Sequence, residues 1–191
     1  MQTRHRQTSG FTLVELILVT ALVAIMTAVA IPSASQLLDH SQNRVEVNDL
    51  FGFLASARAE AVRSGYVHTL CPLDVSSSAC GRDWNRPLYL FADPFNERKL
   101  TANTSVKRVL PPPERGYLLV RSLSRSYFQY RPDGQILSDL GNITWCPESG
   151  APDDAAHLIV SRGGRIRLAS DDDSDGIVED ATGNPVVCVK P

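Results

Sequence analysis

Near its start, this chain of 191 residues carries the segment around which its fold is organised, Ser9-Gly10-Phe11-Thr12-Leu13-Val14-Glu15-Leu16. A polar leader ends at Gly10, and the 21 residues from Phe11 to Ile31 carry a single charge, that of Glu15. About 20 apolar residues in a helix cover the hydrocarbon core of a bilayer, which is about 30 Å thick. We therefore expect a membrane-spanning helix over about residues 11–32, with the rest of the chain as a polar head.

Glu15 is the most informative residue of this run, because a charge inside a membrane helix is costly and usually has a partner or a function. Cleavage between Gly10 and Phe11 would create an α-amine four residues before Glu15. That distance is about one helical turn, so the two opposite charges can cancel within one chain or between neighbouring chains.

Two simpler interpretations compete for the same stretch. An ordinary secretory signal peptide would use Arg4 and Arg6 as its basic region and Ala28-Val29-Ala30 as its cleavage site. A plain membrane anchor is the second alternative. The apolar region of a signal peptide normally has no charge, and neither alternative explains a Gly-Phe pair followed by Glu at this spacing.

The stretch from Gly10 to Glu15 resembles the cleavage site of type IV prepilins and type II secretion pseudopilins. The resemblance implies that residues 1–10 are a leader, which a prepilin peptidase removes by cutting after Gly10. It also implies N-methylation of Phe11 and a role for Glu15 in placing the subunit within a helical filament.

The chain after the apolar run is predicted to continue as an amphipathic helix over residues 33–64, with a kink at Pro32 and a C-cap at Gly65. Its apolar positions recur at helical spacing and are Val47, Leu50, Leu54, Ala57, Ala61 and Val62. An apolar helix face needs a partner, and a β-sheet of the same chain is the simplest one.

The remainder of the chain is predicted to be a β-rich head over residues 66–191. Its strands, recognised from apolar segments between turn signals, are residues 66–70, 88–92, 117–120, 127–131, 143–146, 157–161 and 165–169. Turns are predicted at residues 132–134 and 162–164, and residues 95–116 are expected to be irregular. The predicted fold is α+β: a helix over residues 11–65, half transmembrane and half amphipathic, packed on a small, mainly antiparallel sheet.

The head resembles the H-type minor pseudopilins and the FimT/FimU minor pilins. The matching segments are Ala57–Val62, Cys71, Trp84, Phe91–Asp93, Tyr130–Gly134 and Leu158–Arg167. The resemblance implies a subunit in the initiating complex of a filament, with other minor and major pilins or pseudopilins as partners. It further implies a single-pass inner-membrane protein of a Gram-negative bacterium, with a periplasmic head, that is incorporated into a pilus or pseudopilus.

The net charge of −2 argues against a protein that binds polyanions over its whole surface. Loss of Arg4 and Arg6 with the leader would leave 17 basic against 21 acidic residues. No G-x-S-x-G, P-loop or H-E-x-x-H motif occurs, and the four histidines are scattered. We therefore expect an assembly subunit and not an enzyme.

The four cysteines, Cys71, Cys80, Cys146 and Cys188, lack C-x-x-C spacing, which argues against zinc or thioredoxin-like chemistry. An even number of cysteines after a membrane segment indicates disulfides in an oxidising compartment. Three pairings are possible. We favour Cys71–Cys80, which closes a Ser-rich loop, and Cys146–Cys188, which secures the C-terminus; four buried free thiols are the alternative.

Gly164-Arg165-Ile166-Arg167 is the clearest candidate binding motif. Alternation along a strand places Arg165 and Arg167 on one face, near Arg162, where guanidiniums can bind successive phosphates. The motif resembles the G-R-x-R of FimT-type minor pilins that bind DNA in natural transformation. The alternative is a solvated strand face, and the nearby acidic run at residues 171–173 opposes binding of a duplex.

Asp171, Asp173, Asp175 and Glu179 resemble the first part of a calcium loop, with Gly176 at the turn position. Carboxylate oxygens at the first, third, fifth and ninth positions suit a hard cation, although Thr182 replaces the usual final Glu. A solvated acidic loop is the alternative. Calcium is thus the candidate cofactor, and no other cofactor is expected.

Two functions follow from the sequence. The first is a minor pilin or pseudopilin that helps to initiate or cap assembly of a type IV pilus or a type II secretion pseudopilus. The second is a DNA-binding minor pilin for natural transformation, which would use Arg165 and Arg167.

Overall fold

The computed structural model describes residues 12–74, 76–102, 104–122, 125–138 and 140–190, without the side chains of residues 29–39. The predicted cleavage site at Gly10 and Phe11 lies outside the described residues. The chain divides into two compact units, Met1–Gln42 and Asn43–Pro191. The second half of the helix is therefore part of the same unit as the strands, whereas the sequence suggested a head that starts at residue 66.

Helix α1 spans Leu13–Ser64 and has 52 residues. Its start is capped by Thr12, whose hydroxyl accepts a 3.2 Å hydrogen bond from the backbone N–H of Glu15. Thr12 and Glu15 thus have the spacing of a capping box. At the other end, Gly65 adopts a φ of +74° and its N–H bonds to the Ala61 carbonyl at 3.1 Å, as expected for a glycine C-cap.

In the first unit, every residue from Thr12 to Ala28 is exposed, and most of these side chains are apolar. Within the described residues, no helix combines the length and apolarity needed to cross a membrane. Phe11 and the side chains of residues 29–39, which include Pro32, fall outside the description. The span over residues 11–32 and the kink at Pro32 therefore stay predictions.

The second half of α1 buries the predicted apolar stripe, with one exception. Val47, Leu50, Leu54, Ala57 and Ala61 are at most 9% exposed, and Phe53 is fully buried beside them. The prediction was wrong for Val62, which is 54% exposed. Ala61 already occupies the inward position, and the next residue of a helix points about 100° away from it.

Within the described residues, eight strands form two four-stranded sheets. They are β1 (His68–Pro72), β2 (Leu88–Ala92), β3 (Val106–Leu110), β4 (Gly116–Ser122), β5 (Phe128–Tyr130), β6 (Gly141–Pro147), β7 (Ala156–Val160) and β8 (Ile166–Leu168). A short 3₁₀ helix covers Pro152–Asp154. The strand orders are β3-β2-β1-β5 and β4-β6-β7-β8, and all six pairings are antiparallel. The α+β class is as predicted, but two sheets replace the single sheet expected.

Strand β3 is a correction, because it lies inside the segment 95–116 that was expected to be irregular. Its first four residues are exposed on both faces, so it lacks the alternation that marks a half-buried strand. It forms at the sheet edge because it pairs with β2, from Leu88↔Leu110 to Phe91↔Val106. The extended conformation of this segment thus depends on its pairing with β2 and not on its own sequence pattern.

One hydrophobic core joins α1 to both sheets. Its largest fully buried side chains include Trp145 from β6, Tyr130 from β5 and Phe53 from α1. Ile166 of β8 packs against this core from the edge. The core therefore fixes the turn between β7 and β8, on which the candidate arginines lie.

Candidate functional site

The N-terminal motif is described only in part. Glu15 is exposed in the first turn of α1, where its backbone N–H bonds to Thr12. A carboxylate in the first turn also interacts favourably with the positive end of the helix dipole. Gly10 and Phe11 lie outside the described residues, so their roles stay predictions.

The turn between β7 and β8 is held by two backbone hydrogen bonds and by contact with a second turn. Gly164 N–H donates to the Ser161 carbonyl at 2.9 Å, and the Arg165 carbonyl accepts from Ser161 N–H at 2.9 Å. Gly164 has a φ of +72°, and a Cβ atom on it would overlap the carbonyl oxygen of Gly134. Gly134, the glycine of the turn at residues 132–134, therefore lies directly against this hairpin.

The three candidate arginines surround this turn. Arg162, Arg165 and Arg167 are exposed, and within the described residues no salt bridge involves them. Ile166 is half-buried between the last two and packs on the core, as the alternation predicted. The structure thus brings three exposed guanidiniums, without a salt bridge to any described residue, to one end of this hairpin, where they can bind an anion.

A groove runs beside Arg165, between the hairpin and α1, with a volume of about 590 Å³. Apolar side chains including Phe51, Ala55 and Ala59 line it, together with Arg58 and Arg63. Arg63 is paired with Glu60, which raises the Arg63 pKa and lowers the Glu60 pKa through their hydrogen bond. Arg58 and Arg63 of α1 therefore lie along the same groove as Arg165 of the hairpin.

The acidic loop brings together the four carboxylates predicted to bind a cation. One oxygen from each of Asp171, Asp173, Asp175 and Glu179 lies within 4.8 Å of the others. The three aspartates are exposed, and Glu179 is 8% exposed. Oxygen ligands of calcium lie at about 2.3 to 2.6 Å from the ion, so oxygens across such a site are about 5 Å apart. The residues present fit a calcium ion.

Backbone N–H groups hold these carboxylates in place. Asp171 accepts from the N–H of Ser174 at 2.7 Å and of Gly176 at 2.9 Å. Glu179 accepts from the N–H of Asp172 at 2.8 Å. Ser174 and Gly176 both have positive φ, which lets the chain turn tightly around the cluster.

Both disulfides are present in the pairing favoured from the sequence. Cys71 is bonded to Cys80 with a Cα–Cα distance of 5.5 Å, and Cys146 to Cys188 at 5.7 Å. No cysteine is free. The second bond attaches the C-terminal segment to the end of β6.

Sequence reasoning missed a buried carboxylate that orders the loop after β2. Asp93 is 4% exposed and accepts from Thr69 Oγ1 at 2.7 Å and from the N–H groups of Glu97 and Arg98 at 2.7 and 3.0 Å. Gln129 Nε2 donates to it at 3.3 Å. The sequence signal was only an Asp-Pro turn, because donors from four separate positions complete the network.

Two histidines are also buried. His68 and His157 are 0% and 3% exposed, and the Nε2 atom of each is without a partner in the described part of the chain. Burial lowers the pKa of both imidazoles, because the charged form loses its hydration. For His157 the Asp180 carboxylate opposes this shift, whereas Arg121 and Arg167 add to it.

The chain matches two known families along most of its length. The family model described as type II transport protein GspH matches residues 46–164, which is more than half of the chain. A second model, the prokaryotic N-terminal methylation motif, matches residues 5–31. A comparison with curated protein sequences finds no match.

Solved structures with a similar fold include the type IV minor pilin FimU of Pseudomonas aeruginosa. One crystal form superposes with a TM-score of 0.52 at 18% identity, covering 79% of this chain and 98% of FimU. A second crystal form gives a TM-score of 0.50 at 19% identity, with coverages of 76% and 99%. The minor pseudopilin EpsH of Vibrio cholerae gives a TM-score of 0.48 at 14% identity, with coverages of 68% and 97%.

Proposed function

The chain belongs to the GspH family of type II transport proteins, and on that premise we propose that this minor pilin or pseudopilin helps to initiate or cap a filament. The filament is a type IV pilus or a type II secretion pseudopilus. The observation that supports this most is the combination, in one chain, of the methylation motif at residues 5–31 with the GspH match at residues 46–164. No catalytic role is part of the proposal.

The proposed sequence of events starts at the N-terminus. A prepilin peptidase removes residues 1–10 and methylates Phe11, and the subunit waits in the inner membrane with its head in the periplasm. The two disulfides suit that oxidising compartment. The apolar half of α1 then packs among the helices of other pilins, and pairing of Glu15 with a neighbouring α-amine sets the register.

The assembly role is tested with Glu15→Gln, and Glu60→Gln, which changes a half-buried carboxylate further along the same helix, serves as the control. Processing is followed by mass spectrometry of the N-terminal peptide, and assembly by crosslinking to other pilins in cells. We expect Glu15→Gln to be processed but poorly incorporated, and Glu60→Gln to behave as wild type. Normal incorporation of Glu15→Gln would contradict the proposed role of this carboxylate.

The choice between the two systems is tested by deleting the gene and scoring twitching, transformation and protein secretion. Loss of twitching supports a pilus subunit, and loss of secretion supports a pseudopilus subunit. A strain that keeps all three activities would overturn the assembly proposal.

DNA binding is the second candidate function. It is favoured by the exposure of Arg162, Arg165 and Arg167, which form no salt bridge with the described residues. Phosphate contacts supply most of the affinity of such sites and weaken with salt. The test is retardation of DNA at low salt by Arg165→Ala/Arg167→Ala, compared with Arg86→Ala/Arg131→Ala, which removes two exposed arginines elsewhere. Equal retardation by both double variants and the wild type would exclude the site.

Calcium binding by Asp171, Asp173, Asp175 and Glu179 is proposed as a property of the acidic loop. The ion would neutralise these carboxylates and so reduce their repulsion of anions at the neighbouring arginines. Calorimetry with calcium is expected to give heat for the wild type and none for Asp173→Asn/Asp175→Asn. Asp133→Asn, an exposed acid in another turn, is the control. Absence of heat for the wild type would remove the proposal.

A further inference from the structure

A small cavity lies on the outer face of the second sheet, at a place that neither proposed function uses. Its volume is about 260 Å³. The sheet contributes four polar residues to its lining, which are Arg121 of β4, Asn142 and Thr144 of β6, and His157 of β7. The C-terminal segment, residues 178–188, contributes Asp180 and Val186 among others. Polar groups of the sheet and apolar groups of the segment thus meet in one cavity.

The strand register brings the four polar side chains of the sheet to one face. Arg121 pairs with Asn142 across β4 and β6, and Thr144 pairs with His157 across β6 and β7. Ile143 lies between Asn142 and Thr144 in sequence and is fully buried in the core. Because side chains alternate along a strand, the four polar residues face away from that core. The sheet therefore presents them together.

The C-terminal segment is tied to this face of the sheet. Cys188 is bonded to Cys146, which follows Thr144 by two residues and so lies on the same face. Val186 is 6% exposed, and its N–H donates to the Val178 carbonyl at 3.0 Å. A lining held by a disulfide and a backbone bond keeps its shape before a ligand arrives, which lowers the entropy cost of binding.

Two buried polar atoms of this lining have no hydrogen-bond partner among the described residues. They are Nε2 of His157, a residue only 3% exposed, and Oδ1 of Asn142. His157 Nδ1 lies 2.8 Å from Thr144 Oγ1. The Thr144 hydroxyl can donate to Nδ1, and the neutral imidazole then carries its proton on Nε2. Buried donors are normally bonded, so this N–H is available to an acceptor in the cavity.

The charges around the imidazole favour an acceptor with one negative charge. Arg121 is exposed and forms no salt bridge with a described residue. Burial lowers the pKa of His157 most; Asp180 opposes this shift, and Arg121 and Arg167 add to it. The Asp180 carboxylate already accepts three hydrogen bonds within its own turn. A monoanion gains the attraction of Arg121, whereas a dianion would be repelled more strongly by Asp180.

We propose that Arg121 and His157 Nε2 bind a carboxylate on a short apolar stem, with Thr144 as the residue that positions the imidazole. A carboxylate has two oxygens and can accept from both side chains at once. Leu119 and Val186 line the same cavity and suit a hydrocarbon stem better than a fully hydrated phosphate. The cavity is smaller than the about 300 to 1,000 Å³ typical of pockets for drug-sized ligands, so the ligand is one short acid or the end of a chain.

The site is separate from the residues of the proposed functions. Neither the hairpin residues Arg162 and Arg165 nor the four carboxylates of the acidic loop line this cavity, and the apolar half of α1 is not part of it. A failure of the assembly, DNA or calcium proposals would therefore leave this one standing, and the reverse also holds.

The test is NMR of the full chain in a neutral detergent, with ¹⁵N-labelled histidine and butyrate as the probe. We expect a saturable shift of His157 Nε2 with butyrate and none with butyramide, its neutral analogue. Affinity should rise as the pH falls from about 7.5 to about 6, because the bound anion favours the imidazolium. Asp180 stays ionised in this range, since its hydrogen bond from Thr182 lowers its pKa further.

Variants assign the interaction to individual side chains. Arg121→Gln changes an exposed residue and is expected to raise the dissociation constant for butyrate about tenfold, since charge-assisted bonds are the strong ones. Thr144→Val keeps the shape but removes the hydroxyl, so we expect a rise of about threefold and a change in the ¹⁵N shifts that report the His157 tautomer. Arg131→Gln, an exposed arginine paired with Asp133 at 3.6 Å, is the matched control and should bind as wild type.

A second pair of probes distinguishes the two sources of a carboxylate. Acetyl-alanyl-valine with a free C-terminus represents the end of a polypeptide, and its C-terminal amide is the control. Binding of butyrate or of the peptide acid supports the proposal and identifies the source. The proposal is overturned by no saturable shift with either acid, which would leave water as the occupant, by equal binding of the amides, or by unchanged affinity of Arg121→Gln.

Discussion

The backbones of Gly134 and Gly164 contact each other, although the two residues lie in separate turns. A Cβ atom on Gly164 would overlap the carbonyl oxygen of Gly134. The same oxygen accepts a 3.0 Å hydrogen bond from Arg58 Nε of α1. The two glycines therefore connect the helix to the hairpin that presents Arg165 and Arg167.

Gly164→Ala is expected to destabilise the protein by about 2 kcal/mol or more, because the new methyl group would overlap backbone and the positive φ is unfavourable for alanine. The measurement is the free energy of unfolding in urea. Gly163→Ala is the neighbouring control, since a Cβ there meets no atom within 4 Å. Equal stability of the two variants would contradict the contact.

Glu46 connects α1 to the second sheet through its carboxylate. Its Oε2 accepts the indole N–H of Trp145 at 2.8 Å, and its Oε1 accepts the N–H groups of Glu114 and Arg115 at 2.9 and 3.0 Å. Glu46→Gln would turn an amide N–H₂ towards one of these donors, so we expect a loss of about 1 to 3 kcal/mol.

The measurement for Glu46→Gln is urea unfolding followed by tryptophan fluorescence, which also reports on the indole of Trp145. Glu60→Gln is the control, because the surface pair of half-buried Glu60 with exposed Arg63 contributes little to stability. A Glu46→Gln protein as stable as the control would show that these three bonds are replaced by water.

The stability of the protein is expected to fall on acidification below about pH 6.5, the ordinary pKa of histidine. Burial lowers the pKa of His68 and His157 in the folded state, so the unfolded chain binds more protons in this window. Stability then rises with pH, by at most about 1.4 kcal/mol per pH unit for each histidine. The stabilisation from each neutral histidine is complete above the histidine pKa of the unfolded chain. It is lost as the pH falls towards the lower pKa of the folded protein.

The charged groups near these histidines do not reverse the direction of their pKa shifts. Glu60 raises the His68 pKa while Lys107 and Arg63 lower it, and burial remains the largest influence. Urea unfolding at about pH 7.5 and about pH 5.5 measures the effect. His157→Gln, which cannot be protonated, should reduce the pH dependence; an unchanged slope would argue against a neutral buried His157.

The two disulfides should contribute unequally to stability. Cys146–Cys188 spans 42 residues of sequence and Cys71–Cys80 spans 9. Loop-closure entropy predicts losses of about 4 and about 2.5 kcal/mol on removal, respectively. Each bond is removed by a double alanine variant, and Cys71 and Cys146 are equally buried, which makes the comparison fair. A larger loss for Cys71→Ala/Cys80→Ala would contradict the entropic explanation.

Much of the fold followed from local patterns. The amphipathic half of α1 was predictable because Leu50, Leu54, Ala57 and Ala61 repeat at helical spacing. The turn at residues 132–134 and the hairpin turn at residues 162–164 followed from glycine and proline chemistry. Strand β3 could not be predicted in this way, because its residues are exposed and its partner β2 supplies the reason for its conformation.

The same distinction between local and long-range contacts applies to the candidate sites. The aspartates of the acidic loop and the arginines of the hairpin are each close in sequence, so a local pattern was enough to find them. The contact of Arg98 with Tyr127 joins the loop after β2 to the segment before β5, and no spacing rule links these two residues. The network of Asp93 was missed for the same reason.

The methylation motif within residues 5–31, the amphipathic half of α1 and the family could be recognised from the sequence alone, because these depend on short-range order along the chain. The folded structure was needed to show that the strands form two sheets, that Gly134 supports Gly164, and that Arg98 contacts Tyr127. The physical reason is that such contacts join residues distant in sequence. Their geometry is set by packing around a common core, which no local pattern encodes.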